Sequence, residues 1–340
     1  MPHPNPGQRS LKKTNNHQAT ELNEELQEKQ HWSGITEAGT LFGMQFLRFV
    51  YQYLGRWVVT LCLIPTVAYF MIFRGPTRKA SQDYLRTHYQ CYPHYWNKTP
   101  SLFDSAKHFY VFAQTVVDKL LSWFTHIDAD DFIIKHPDRI EALMNDNRGQ
   151  LIIGSHMGNL EYCRGFMHRY KDKTINILVH DKHSQNYNSI MHQLNPDSRL
   201  NVFQVADFDV PTMLKIKAKV DAGEWIFIAG DRSPLSGVER TVTVKFMGRS
   251  AQLPIGPYML ARGLGCPVKL MFSYCDYLSK SGLERKVHFE VVEFTDKLTF
   301  SRGDKQAQLQ AYAQRFANSL EAQCANAPLQ WFNFYDFWAD

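Results

Sequence analysis

Cysteine is sparse and unpatterned in this chain. Six residues (Cys62, Cys91, Cys163, Cys266, Cys275 and Cys324) form no Cys-x-x-Cys pair. That argues against a disulfide framework or a structural zinc, and for a reduced, cytoplasmic compartment. No apolar h-region lies near the start, so no signal peptide is expected. Repeats and low-complexity tracts are absent, and the chain from about residue 100 onward therefore reads as one domain. Nowhere does a basic cluster interleave with aromatics, which argues against a nucleic-acid partner. Neither sign of charge dominates, with 38 Lys and Arg against 33 Asp and Glu. A formal net charge of +5 fits work near anionic lipid or phosphate without demanding it.

What the chain does have is apolar residues, 44% of 340, enough for a sizeable α/β core with appendages. Residues 1–37 are polar and expected to be disordered. Residues 38–95 form a hydrophobic helical segment. Within it, Leu41 to Leu54 reads as an interfacial helix, and Trp57 to Phe73 runs without a charge between Arg56 and Arg74. That run is at the lower end of transmembrane length, and Thr60, Pro65 and Thr66 weaken a span. Arg74, Arg78, Lys79 and Arg86 suit a lipid-facing cytoplasmic flank. The expectation is a membrane anchor, spanning or monotopic; the competing reading is a pair of buried helices. Residues 96–340 are the main domain. It opens with mostly helical sequence to 148, including Ser101 to Phe124, whose stripe of Phe103, Phe109, Val111, Phe112, Val116, Leu120 and Leu121 suits a core helix or the lining of an apolar groove.

At the centre stands Leu151-Ile-Ile-Gly-Ser-His156-Met-Gly158-Asn159-Leu-Glu161. The apolar run predicts a buried strand, Gly154 and Ser155 a tight turn, and Asn159 the N-cap of a helix over 160–170. Residues five apart do not face each other on a helix. His156 and Glu161 therefore meet only if His156 precedes the helix and Glu161 lies in its first turn. Such a carboxylate would fix the imidazole tautomer and leave the other nitrogen as a general base. Further along, strands at 175–179, 202–205, 224–229 and 267–274 alternate with helices at 184–194, 210–220 and 256–263. This predicts a mostly parallel central sheet flanked by helices. Val242 to Phe246 reads as an outlying strand, Val287 to Phe294 as an edge strand, and Gln306 to Gln323 as a closing helix. If the strands are parallel, Asp231 and Arg232 arrive at the sheet end that carries His156.

His156-Met-Gly-Asn-Leu-Glu161 resembles the His-x4-Asp/Glu motif of the lysophospholipid acyltransferase superfamily. Its Gly-Asn form is similar to that of the bacterial late acyltransferases of lipid A biosynthesis. Ile228-Ala-Gly-Asp231-Arg232 resembles that branch's second block. Phe246-Met-Gly248 with Leu253-Pro-Ile-Gly256-Pro257 resembles its third. With the terminal Gln330-Trp-Phe-Asn-Phe-Tyr-Asp-Phe-Trp338, the chain looks most like a neighbouring group of bacterial acyltransferases, some associated with aryl polyene pathways.

The resemblance implies transfer of a fatty acyl group from a thioester to a hydroxyl or amine of a membrane lipid or glycolipid. The thioester of acyl carrier protein or coenzyme A is a co-substrate, and no resident cofactor or metal is implied. It also implies an inner-membrane location with the catalytic domain on the cytoplasmic side. His156 and Glu161 are the catalytic expectation, with N–H groups at Gly158 and Asn159 as oxyanion donors. Asp231 matches an acidic position of the family, and Arg164 and Arg232 are candidates for acceptor or phosphate contacts. The family also uses an arginine between the first two blocks, where Lys182 and Arg199 are nearest. Two rivals stand beside this reading: a noncatalytic membrane-bound protein with a vestigial motif, and a metal-dependent hydrolase using His156, Glu161 and Asp231. His180, His183 and His192 read as ordinary surface or core residues. The aromatic C-terminus from Trp331 to Trp338 either packs on the core or sits at the lipid headgroup level.

Overall fold

The computed structural model describes residues 45–47, 49–122, 129–159, 162, 173–179, 200–204, 210–232, 240–277, 286–301 and 303–338. The expected tail and the helices over 160–170 and 184–194 therefore lie outside the described residues, apart from Tyr162, which is helical. Two compact units divide between Gly55 and Arg56, inside the segment that the sequence reading took as one piece. In the first unit, residues 45–47 and 49–54 are helical and expose Phe46, Phe49, Tyr53 and Leu54.

The second unit opens with α1 (Arg56–Phe73), α2 (Gly75–Cys91) and α3 (Leu102–Leu121). Pro65 sits inside α1, yet the helix continues for 18 residues, about 27 Å of rise. Among the described residues it is one helix long and apolar enough to cross a membrane, and only 11% of it is buried. A core helix would bury most of its surface. Here Val59 faces inward and Phe70 stacks on Phe109 of α3 at 6.0 Å, while Trp57, Leu61, Ile64, Tyr69, Ile72 and Phe73 stay exposed. The second helix, α2, starts with Pro76 in its first turn, where the missing N–H costs nothing. For α3 the start is a capping box: the Ser101 N–H donates to Asp104 Oδ2 at 2.9 Å.

The apolar stripe read along α3 is only partly what the helix buries. Phe109 and Val111 are buried, but Phe103 and Val116 point outward, while Ser105, His108, Thr115 and Asp118 are turned into the protein.

The body is a seven-stranded sheet in the order β1-β9-β8-β2-β5-β3-β4. Its strands are β1 (Phe132–Lys135), β2 (Gln150–Gly154), β3 (Ile175–Val179), β4 (Leu200–Gln204), β5 (Trp225–Ala229), β8 (Val268–Cys275) and β9 (Val287–Thr295). Every neighbouring pair is parallel except β8–β9, which is antiparallel. The mostly parallel α/β architecture is thus as expected. The edge assignment of Val287–Phe294 is corrected, because β1 pairs with β9 and covers it. β1 is four residues long and hidden in sequence that otherwise reads helical. The outlying strand also has a partner. β6 (Thr241–Phe246) and β7 (Arg249–Pro254) form an antiparallel hairpin. Its two-residue turn places Met247 at φ 49° and Gly248 at φ 75°, the pairing that suits the twist of a tight hairpin.

Alternation across β2 sorts the core. Leu151 and Ile153 face one side, with Ile226, Ile228, Leu270, α6 (Gly256–Leu264) and α7 (Lys305–Asn326). Ile152 faces the other, with Trp225, Met271 and the Ile140, Leu143 and Met144 side chains of α4 (Pro137–Asn145). All five residues of β2 are buried, as a central parallel strand requires. α5 (Val210–Asp221) runs into β5.

Candidate functional site

β2 and β5 are in register through Gly154 and Ala229, and each chain leaves the sheet two residues later at His156 and Asp231. Their main chains stay joined one step beyond, where the Gly230 N–H donates to Gly154 O at 2.9 Å. Two turns at the same end of adjacent parallel strands therefore deliver the two side chains side by side, in the crevice where open α/β sheets build their sites.

Asp231 Oδ1 lies 2.8 Å from His156 Nδ1. Its Oδ2 accepts the backbone N–H of His156 at 2.8 Å and the indole N–H of Trp331 at 3.0 Å. The carboxylate is 2% exposed and the imidazole 36%. Burial pushes the Asp231 carboxyl up. The His156 imidazole, the hydrogen bonds from His156 and the Trp331 donor outweigh this and hold it below the usual carboxylate range. An ionised carboxylate only accepts, so Nδ1 carries the proton and the lone pair of neutral His156 is on Nε2.

The sequence reading gave the orienting role to Glu161. In the structure the Nδ1 position is held by Asp231, and Glu161 lies outside the described residues, as do Arg164, Lys182 and Arg199. Asp231, expected at this sheet end, is there and is bonded directly to His156.

The expected oxyanion donors are corrected. The Gly158 N–H donates to Gln330 O at 2.7 Å, and the Asn159 N–H to Ser273 O at 3.2 Å. Both amides are engaged in bridging the turn to β8 and to the C-terminal segment. Gly158 sits at φ 60°, and a Cβ there would fall 1.9 Å from Ser273 O. Glycine is required by close backbone approach. Arg232 extends past Asp231 and donates through Nη2 to Phe332 O at 3.2 Å.

The C-terminal aromatics pack on the core beside the site, so the headgroup-level alternative is set aside for most of them. Trp331, Phe332, Phe337 and Trp338 are buried, and Tyr335 is exposed. Phe334 stacks on Phe109 of α3 at 4.6 Å, and the Phe332 N–H donates to His156 O at 3.0 Å. The same stretch thus touches the turn that carries His156 and the helical layer. Sequence reasoning missed Trp331 as a partner of Asp231. The two are 100 residues apart, and the density of aromatic residues was the only available signal.

A second buried polar cluster ties α1 to the segment after the motif. Asp118 Oδ1 accepts Arg56 Nη2 at 2.5 Å, and its Oδ2 accepts the Tyr162 hydroxyl at 2.5 Å. Burial pushes the Asp118 carboxyl up, against the opposing pull of Arg56 and the tyrosine hydroxyls. Among the described residues no group of three His, Cys, Asp or Glu side chains converges to hold a metal ion.

Residues 108–339 match the family described as bacterial lipid A biosynthesis acyltransferase. Comparison with curated proteins finds no match.

Proposed function

Since the chain belongs to the bacterial lipid A biosynthesis acyltransferase family, we propose that it moves a fatty acyl group from a thioester to a hydroxyl or amine of a membrane lipid or glycolipid, with His156 as general base. The observation that carries this reading is the 2.8 Å contact between His156 Nδ1 and Asp231, which leaves Nε2 as the free base. The donor is the thioester of acyl carrier protein or coenzyme A, and no resident cofactor takes part. The acceptor O–H or N–H gives its proton to Nε2 as the heteroatom attacks the thioester carbonyl carbon. The C–S bond then breaks, and the leaving thiolate takes the proton back from Nε2.

Asp231 stabilises the imidazolium formed between these steps. With Nδ1 taken by Asp231, the part we assign to Glu161 is alignment of the acceptor. Gly158 and Asn159 shape the wall of the site rather than donate to an oxyanion, and Arg164 and Arg232 contact acceptor charge. The exposed apolar faces of α1 and of the start of α3 rest in the inner membrane on its cytoplasmic side, and bring the lipid acceptor to the site.

The test is transfer itself. Purified protein, in detergent with bacterial membrane lipid extract, receives radiolabelled palmitoyl-coenzyme A or palmitoyl–acyl carrier protein. Labelled lipid dependent on the protein is expected. Labelled free fatty acid alone, or no turnover of either donor, overturns the reading and favours the noncatalytic rival.

A further inference from the structure

We infer that Trp331 is a positioning residue for the reaction: its indole N–H fixes the rotation of the Asp231 carboxylate so that Oδ1 is aimed at His156. This rests on the reading of His156 as the base.

The torsion that turns an aspartate carboxylate is broad, so its hydrogen bonds decide where each oxygen points. Oδ2 is held by two donors from different elements, the His156 backbone at 2.8 Å and the Trp331 indole at 3.0 Å. Oδ1 is thereby left facing Nδ1. The backbone donor belongs to the turn that must be oriented, and the indole is the independent reference.

That reference is itself fixed. Trp331 is 1% exposed and enclosed by Tyr84, Phe246 and Phe337, with ring centroids at 5.1, 5.0 and 4.9 Å. Its carbonyl accepts Nε2–H of His108 at 3.0 Å, and His108 Nδ1 accepts the Ser81 hydroxyl at 3.0 Å. Burial lowers His108 to about 4, with the hydrogen bond to Trp331 opposing, so it stays neutral and keeps this donor–acceptor pattern. A line of hydrogen bonds thus runs from α2 through α3 and Trp331 to the Asp231–His156 pair. A tryptophan placed only for packing has no need to aim its N–H at a buried carboxylate.

The test replaces Trp331 with benzothienylalanine, introduced site-specifically, which exchanges the indole N–H for sulfur and keeps the ring shape. Trp331→Phe is made beside it. Turnover is followed with palmitoyl-coenzyme A or palmitoyl–acyl carrier protein and membrane lipid extract. The proton of the His156–Asp231 hydrogen bond is followed as a far-downfield NMR resonance, assigned by its loss in His156→Ala. The expected result is a kcat about tenfold lower at nearly unchanged KM, a near-native melting temperature for benzothienylalanine, and a displaced or broadened resonance. A native kcat and an unmoved resonance in that variant overturn the inference while leaving His156 as the base. Full transfer by folded His156→Ala overturns the base reading, and the inference with it.

Discussion

Asp231 holds His156 twice, through the ring Nδ1 at 2.8 Å and through the backbone N–H at 2.8 Å. The two contacts use different oxygens, so the carboxylate fixes both the imidazole and the turn that carries it. This makes Asp231→Asn a severe change despite its size. If the amide N–H₂ took the Oδ2 position, it would oppose two N–H donors, from His156 and Trp331. Placed at Oδ1, it would force Nδ1 to accept and put the proton on Nε2, removing the base. Asp231→Asn is expected to lower kcat by about 10²–10⁴-fold. Glu161→Gln, acting on acceptor alignment, should cost less and show partly in KM. Steady-state kinetics on both variants checks the ranking, and a larger loss in Glu161→Gln would return the orienting role to Glu161.

Stability should depend on pH through two buried histidines. Burial lowers His88 and His108 from 6.5 to about 4, against the hydrogen bonds each donates to a backbone carbonyl. Between those values the unfolded chain binds protons that the folded chain excludes. Stability is therefore fully present above about 6.5 and lost as pH falls toward 4. The depressed Asp231 carboxyl acts in the same direction at lower pH, its contribution disappearing as pH falls through the folded value. Urea midpoints should fall steadily across that window, and His108→Gln should flatten the slope. A midpoint independent of pH would contradict the assignment.

How much of this was legible beforehand differs from element to element. β2 and β5 announce themselves as short runs built on Leu151–Ile153 and Trp225–Ala229, and the turns after them carry His156 and Asp231. Parallel pairing then brings the two together at once. β9 misled because an alternating pattern reads as a half-exposed edge, and the four residues of β1 that cover it carry too little signal. The partner of the site in the C-terminal segment was not legible at all. A contact between residues 231 and 331 depends on how α7 returns the chain across the sheet, which no local spacing encodes.

The Arg56–Asp118 pair should be structural. Asp118 is 4% exposed on its side chain and Arg56 is 29% exposed. Arg56→Ala leaves a buried carboxylate without its cation and should cost about 3 kcal/mol, the low end for breaking a buried pair. Adding Asp118→Asn removes that stranded charge and should recover part of the loss. Thermal melts of the single and double variants decide this, and a purely additive double variant would contradict it.

The exposed face of α1 should govern membrane partitioning. Leu61 and Ile64 are 51% and 54% exposed, and replacing both by Glu puts charge on the face proposed to meet lipid. The variant should move toward the soluble fraction, whereas native protein should need detergent. Native protein found soluble without detergent would end the anchor proposal.

The central claim is that His156 Nε2 takes the acceptor proton. It is tested most directly by transfer from palmitoyl–acyl carrier protein or palmitoyl-coenzyme A in His156→Ala, with folding matched by circular dichroism. Loss of a general base should lower turnover by about 10²–10⁴-fold, about 3–5 kcal/mol of barrier. Because the pair acts as a unit, His156→Ala with Asp231→Asn should be little worse than His156→Ala alone. Near-native turnover by folded His156→Ala protein would contradict the account.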